Sequence, residues 1–269
     1  MDIDACAAAN TVAWKIKADA VCAARPGAES FRTASGNSLI GTDVVAEKLG
    51  YFLSTGHVES TYAFRVATTS EDAAFDAIYV DGSFGPQRLA FEEGLDAVRT
   101  AVYGTLDLPG ALGDTTYGPY RIVRDAYEAS RTPIVLPHNS AAVYATTGTL
   151  EENRLCEEAA LWVDRAALAT ATRANDAAAT TEWAELLARE SPTSGSEHDL
   201  IEVVLRDGRT PMADVSAVRI AESDFDAINE EYLRCLTKSG TTLLTSEEAV
   251  LVQLAQANDD GTLRLEVVR

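Results

Sequence analysis

Apolar residues recur near helical spacing from Val12 to Ala24, at Val12, Ile16, Ala20, Val21 and Ala24, and Arg25-Pro26-Gly27 stops the run. Just before it, Ile3 to Ala9 reads as a short strand ending at Asn10-Thr11. A second helix is predicted over Asp43 to Leu53, with Asp43 as its N-cap. Gly56 to Thr69 fits helix and strand equally. Ala77-Ile78-Tyr79-Val80 is a continuous apolar run of the kind a strand buried on both faces requires. It enters the loop Asp81-Gly82-Ser83-Phe84-Gly85, and Pro86 suits the first turn of a helix through Thr100. Ala101-Val102-Tyr103 follows as a short strand closed by Gly104. This order is a βαβ unit, hence a parallel sheet.

The second half is patterned less clearly. Leu106 to Gly118 reads as loop, and Arg131 to Pro137 as a strand ending at His138-Asn139-Ser140. Leu150 to Arg189 is alanine-rich and amphipathic, two helices broken near Asn175-Asp176, and Ser191 to Glu197 is a surface loop. Leu200 to Leu205 is predicted as a strand with a turn at Arg206 to Arg209. Thr245-Ser246-Glu247-Glu248 is a capping box opening a final helix to about Ala257.

Charge narrows the partners. The 269 residues hold 42 Asp+Glu against 22 Lys+Arg, a net of -20 spread along the chain. A dispersed negative surface repels phosphate backbones, so no nucleic-acid partner is expected. No apolar stretch is long enough to span a bilayer, and the N-terminus Met1-Asp2-Ile3-Asp4 lacks a basic leader. A cytoplasmic protein with no membrane partner is the expectation. The cysteines, Cys6, Cys22, Cys156 and Cys235, form no CxxC, and His57, His138 and His198 lie far apart. Neither a metal site nor a disulfide framework is expected, each cysteine serving as a small buried hydrophobe.

Ligands of parallel sheets bind at the carboxyl ends of strands. Two loops at such ends carry small polar groups, Ala9-Asn10-Thr11 and Asp81 to Gly85. Backbone N–H groups at the following helix N-termini attract a carboxylate or phosphate, with Asn10, Thr11 and Ser83 adding hydrogen bonds and Gly82 and Phe84 completing the loop. The bland alternative makes Asn10 and Ser83 helix caps. Cys235, His57 and His138 are candidate proton-transfer groups, each set against a plain structural role. Asp81 after an apolar strand is a candidate metal ligand of a nuclease. The pairs Glu92-Glu93, Glu151-Glu152 and Glu157-Glu158 read as solvated helix faces.

Ile3 to Glu29 (IDACAAANTVAWKIKADAVCAARPGAE) resembles the opening of the aspartate/glutamate/hydantoin racemase superfamily. Phe75 to Pro86 (FDAIYVDGSFGP), followed by Gly94 to Gly104, resembles a later block of that family, and Phe225 to Ile228 with Gly240 to Ala249 its closing strand, loop and helix. The resemblance implies an α/β fold of two pseudo-symmetric lobes, each a parallel sheet flanked by helices, with a cleft between them. Residues 1–105 plus about 235–269 would form the first lobe and 106–234 the second. It also implies a cofactor-independent enzyme, a racemase or a decarboxylase-like lyase, moving a proton at the α-carbon of a small carboxylate substrate. Where the family carries its first cysteine this chain has Gly82-Ser83, and Cys235 follows the second matching position by several residues. The expected catalytic set is therefore Ser83, Cys235 and His138, with Asn10, Thr11, Gly82 and Phe84 on the substrate. Loss of the thiols leaves two alternatives: a non-catalytic member binding a metabolite or pathway partner, and the nuclease built on Asp81. A homo-oligomer is the base-rate expectation for an enzyme of this size.

Overall fold

The computed structural model describes residues 1–82, 84–107, 117–126, 131–138, 140, 152–173, 201–207, 209–239 and 246–268, with backbone alone at 152–153 and 231–239. The chain is α/β. Helices α1 (Ile3–Ala24), α2 (Ala28–Gly36), α3 (Ala46–Thr55), α4 (Thr61–Thr68), α5 (Glu71–Phe75) and α6 (Gly85–Gly94) fill the first third. After them come α7 (Glu152–Glu158), α8 (Arg165–Arg173), α9 (Glu222–Ser239) and α10 (Ser246–Asp259). The strands are β1 (Leu39–Val44), β2 (His57–Glu59), β3 (Val102–Asp107), β4 (Tyr120–Arg124), β5 (Ile134–Leu136), β6 (Ala160–Leu161), β7 (Glu202–Leu205), β8 (Arg209–Pro211), β9 (Val215–Ala221) and β10 (Leu265–Val268).

Eight strands form one sheet in the order β10-β9-β4-β1-β3-β7-β5-β6, and β2 pairs with β8. The β10–β9 pair is parallel, and the other pairings of the large sheet are antiparallel. This differs from the parallel, two-lobed sheets expected: β1 and β3 of the first expected lobe lie between β4 and β7 of the second. The reason lies in residues 71–80. Ala77 to Val80 is not a strand; it is a π-helical turn continuing α5. Ser70 caps that helix by accepting the Ala73 N–H at 3.2 Å. The buried positions Ala74, Ile78 and Tyr79 follow a helical repeat, and Val80, expected inside, is 54% exposed. Without that strand the βαβ unit does not exist.

A second difference concerns the N-terminus. Ile3 to Ala9 opens α1 instead of forming a strand, because Asp2 accepts the Ala5 N–H at 3.1 Å. Ile3, Ala7, Trp14 and Ala18 are its buried stripe, while Val12 and Ile16 face solvent. Asn10 and Thr11 are therefore mid-helix residues. Asp43 is not a cap but the penultimate residue of β1, and α3 starts at Ala46. Gly56 to Thr69 resolves into both of its readings, β2 followed by α4 with Ser60 as N-cap. The expected Pro86 helix is present but ends at Gly94, short of Thr100, where Asp96 and Arg99 take positive φ; the strands near 102, 134 and 202 and the helix after Thr245 are present. Of Leu150 to Arg189, α7 and α8 are described; the break near Asn175 and the loop Ser191 to Glu197 lie outside the described residues.

Residues opposed across strands share a sheet face. Ile40, Val44, Tyr120 and Ile122 thus point together, onto a core completed by Phe31, Leu49, Phe52, Leu168 and Leu254. Ile134, Leu136 and Val204 point the other way, onto Ile3, Phe91, Leu95 and Leu155. That second face also carries polar groups. Arg121 lies fully buried over Gly41, donating to Asp107 at 2.8 Å, to Asp43 at 3.0 Å and to Thr105 at 2.8 Å.

The cysteine expectation is corrected too. Cys6 and Cys156 form a disulfide between α1 and α7 across a separation of 150 residues, and Cys22 is a half-buried thiol. Spacings so long carry no pairing signal in the sequence. Among the described residues no helix is long and apolar enough to cross a membrane.

Candidate functional site

A cavity of about 440 Å3 opens where β1, β3 and β7 meet α3, α4 and α6. Gly41, Thr42 and Asp43 of β1, Tyr103, Gly104 and Thr105 of β3, and Glu202 of β7 form its strand-borne wall. Gly104 is needed there, since a Cβ would sit 2.7 Å from the Gly41 carbonyl oxygen. Ile78, Phe91 and Val102 supply an apolar side. Two rings, Phe84 and Tyr117, are half exposed at the mouth.

Cations converge on this cavity in a chain of net charge -20. Lys48 of α3, Arg65 of α4 and Arg88 of α6 line it. The Lys48 ammonium donates to Thr61 Oγ1 at 3.0 Å. Burial, reinforced by repulsion from Arg88 and Arg124, pulls its pKa down to about 8. Arg124 lies behind the wall, fully buried, its Nη2 donating to Thr42 Oγ1 at 3.2 Å while Nε and Nη1 have no hydrogen-bond partner among the described residues. Burial lowers its pKa to about 10.

Arg88 is held rather than loose. Its Nε donates to Glu92 Oε1 at 2.8 Å, and its guanidinium lies 5.3 Å from the centre of the Tyr103 ring. Glu92 is a hub: it also accepts from Tyr79 Oη at 2.5 Å, Tyr103 Oη at 2.9 Å and the Arg99 N–H at 3.3 Å. The expectation of a solvated Glu92 is thereby corrected, for this carboxylate is 1% exposed. Desolvation raises the pKa of Tyr103, with the Glu92 charge adding to it.

Glu202 faces these cations from β7. It is buried, and its Oε2 accepts the Ser140 N–H at 2.6 Å. Burial pushes its pKa up to about 7 against the opposing pull of that hydrogen bond and of Arg88. A buried carboxyl and a desolvated amine that both titrate near neutrality, lining one cavity beside a fixed guanidinium, can exchange protons with a bound anion.

The structure divides the residues singled out from sequence. Gly82 and Phe84 line the cavity. Asn10 and Thr11 do not; they fasten α1 to its neighbours. Asn10 Nδ2 donates to the carbonyls of Cys156 and Ala159 at 2.7 and 2.9 Å, and Thr11 Oγ1 to Asp164 at 2.6 Å. His138 is half-buried two residues before Ser140 and is not among the lining side chains. Ser83 and the Cys235 side chain lie outside the described residues. His57 lies on the small β2–β8 sheet near Arg209, and Asp81 is exposed and does not line the cavity.

Lys48, Arg88 and Glu202 were missed. A signal existed for two of them: Lys48 is one of four lysines, and Glu202 interrupts the apolar run Leu200 to Leu205. Nothing local marks Arg88. Compared with known proteins, the chain matches no family model and no curated sequence.

Proposed function

We propose that the cavity binds a small carboxylate and moves a proton at its α-carbon without a cofactor. The observation that carries the reading is the meeting of Lys48 and Arg88 with buried Glu202 around one cavity. The substrate carboxylate pairs with Arg88, which Glu92 keeps in place. Glu202, as carboxylate, takes the α-proton, and the Lys48 ammonium offsets the negative charge that develops on the enolate oxygen. Return of a proton to the α-carbon completes exchange; return from the opposite side inverts the centre. This keeps the reaction class implied by the family likeness, with Glu202 moving the proton in place of Ser83, Cys235 and His138 and Lys48 stabilising the charge that develops.

Solvent deuterium exchange over a panel of amino acids, hydantoins and malonates tests the reading. At least one panel member exchanges its α-proton, and Glu202→Gln slows this by about 100-fold or more. The rate is bell-shaped in pH: it rises as Glu202 loses its proton near 7 and falls as Lys48 loses its own near 8. Binding of panel members with no exchange would refute the reaction and leave a metabolite-binding protein, the alternative that the missing cysteine at Gly82-Ser83 favours.

A further inference from the structure

Three helices begin at the cavity. Asp43 and Lys48, on either side of the start of α3, line it, as do Thr61, the first residue of α4, and Gly85, the first of α6. Neither Val45 nor Phe84 offers a side-chain cap to α3 or α6. The positive ends of three helix dipoles therefore border a space that already collects Lys48, Arg65 and Arg88.

The space exists because the sheet forks. β1 pairs with β3 from Leu39 to Gly41 and no further; Thr42 to Val44 stay on β4, while Val102 to Gly104 stay on β7. Thr42 Oγ1 spans the fork, donating to the Tyr103 carbonyl at 3.2 Å and accepting from Arg124 Nη2 at 3.2 Å.

Charge around the fork does not balance. Asp43 is engaged by Arg121, and Arg88 by Glu92. Among the described residues Lys48, Arg65 and Arg124 have no carboxylate partner, and Glu202, the other lining acid, cannot offset three cations. Arg124 decides the matter, being 0% exposed with Nε and Nη1 lacking any hydrogen-bond partner. A buried guanidinium without a counter-ion destabilises the fold. A chain with 42 acidic residues could have supplied that counter-charge from within, and does not. One carboxylate would bring a single negative charge. A phosphate monoester brings nearly two at neutral pH, with three acceptor oxygens.

We infer that the acid bound here also carries a phosphate monoester, held by Thr61 and Arg65 at the start of α4 beside Lys48, with Arg124 balancing its charge from behind Thr42. This rests on the carboxylate reading and adds the class of substrate; the carboxylate stays with Arg88. Thr61 Oγ1 accepts from Lys48 at 3.0 Å, which leaves its own proton for a phosphate oxygen. Arg65 follows Thr61 by one turn on the same face of α4, and its exposed guanidinium can close onto the group. A volume of about 440 Å3 accommodates a short acid with a phosphate at its far end.

Phosphoglycolate and succinate, acids of similar length, separate the two contributions by titration calorimetry, with glycolate and inorganic phosphate as single-group controls. The wild-type protein binds phosphoglycolate about tenfold more tightly than succinate or either control. Arg65→Gln, at an exposed position, and Thr61→Val each cut the preference over succinate to about threefold or less. Arg124→Met does the same, and its urea midpoint is no lower than that of the wild type, because a charge without a counter-ion leaves the interior. Arg88→Gln weakens both acids alike. Equal binding of phosphoglycolate and succinate that still depends on Arg88 would overturn the phosphate inference and leave the carboxylate site standing. Inorganic phosphate bound as tightly as phosphoglycolate, with succinate and glycolate unbound, would instead refute the carboxylate reading and leave a phosphate site. Binding of none of these probes would overturn both. A tenfold preference that survives Arg65→Gln and Arg124→Met would overturn the assignment as well.

Discussion

Gly41→Ala is the smallest change that tests the buried polar face of the sheet. A Cβ at this position would lie 2.1 Å from Arg121 Cζ, 2.2 Å from Nη2 and 2.3 Å from Nε, so a single methyl evicts the guanidinium. Arg121 cannot step aside into water, because its side chain is 0% exposed. It then loses its bonds to Asp107, Asp43 and Thr105, and two carboxylates lose a buried counter-charge. Breaking such a pair costs about 3–5 kcal/mol. For a chain of this size that lowers Tm by roughly 10 °C. In an Arg121→Ala background the three nearest obstacles are gone, and the added methyl costs within about 1 kcal/mol, glycine being itself a poor strand residue. Urea titration of the four proteins of this cycle measures a coupling of about 3 kcal/mol between the two positions. Equal costs of Gly41→Ala in both backgrounds would refute the reasoning.

Three further outcomes are expected. Reducing the Cys6–Cys156 bridge, or Cys156→Ser, removes a loop closure of 150 residues worth about 5 kcal/mol at most by chain entropy; alkylation before and after reduction should differ by two thiols, and an unchanged urea midpoint would contradict it. Glu202 keeps its proton up to about pH 7 when folded and to about 4.5 when unfolded, so the native state binds more protons between these values and stability falls as pH rises through them, by up to about 3 kcal/mol. Glu202→Gln flattens that slope and is the more stable protein at pH 8; parallel curves for the two proteins would count against a buried carboxyl. Asn10→Ala strands two carbonyls at the end of α7 and costs about 1–3 kcal/mol while leaving ligand affinity intact. Loss of binding in a folded Asn10→Ala protein would place Asn10 at the site after all.

The amino-acid pattern alone determined the α/β class, the helix over Val12 to Ala24, the Pro86 helix start, and the strands near 102, 134 and 202, because each rests on spacing or capping within a few residues. It also singled out Gly82 and Phe84, which line the cavity. What it left open was decided over distance. Four apolar residues, Ala77 to Val80, suit a buried strand and a helix equally well, and packing against Tyr62 and Ala74 chose the helix. That choice removed the parallel unit, and the antiparallel pairing of β1 with β3 and β4 followed. Cys6 found Cys156, and Lys48, Arg88 and Glu202 reached one cavity, from positions 40 to 154 residues apart. Local rules govern only neighbours along the chain; burial, charge pairing and pKa are set by neighbours in space.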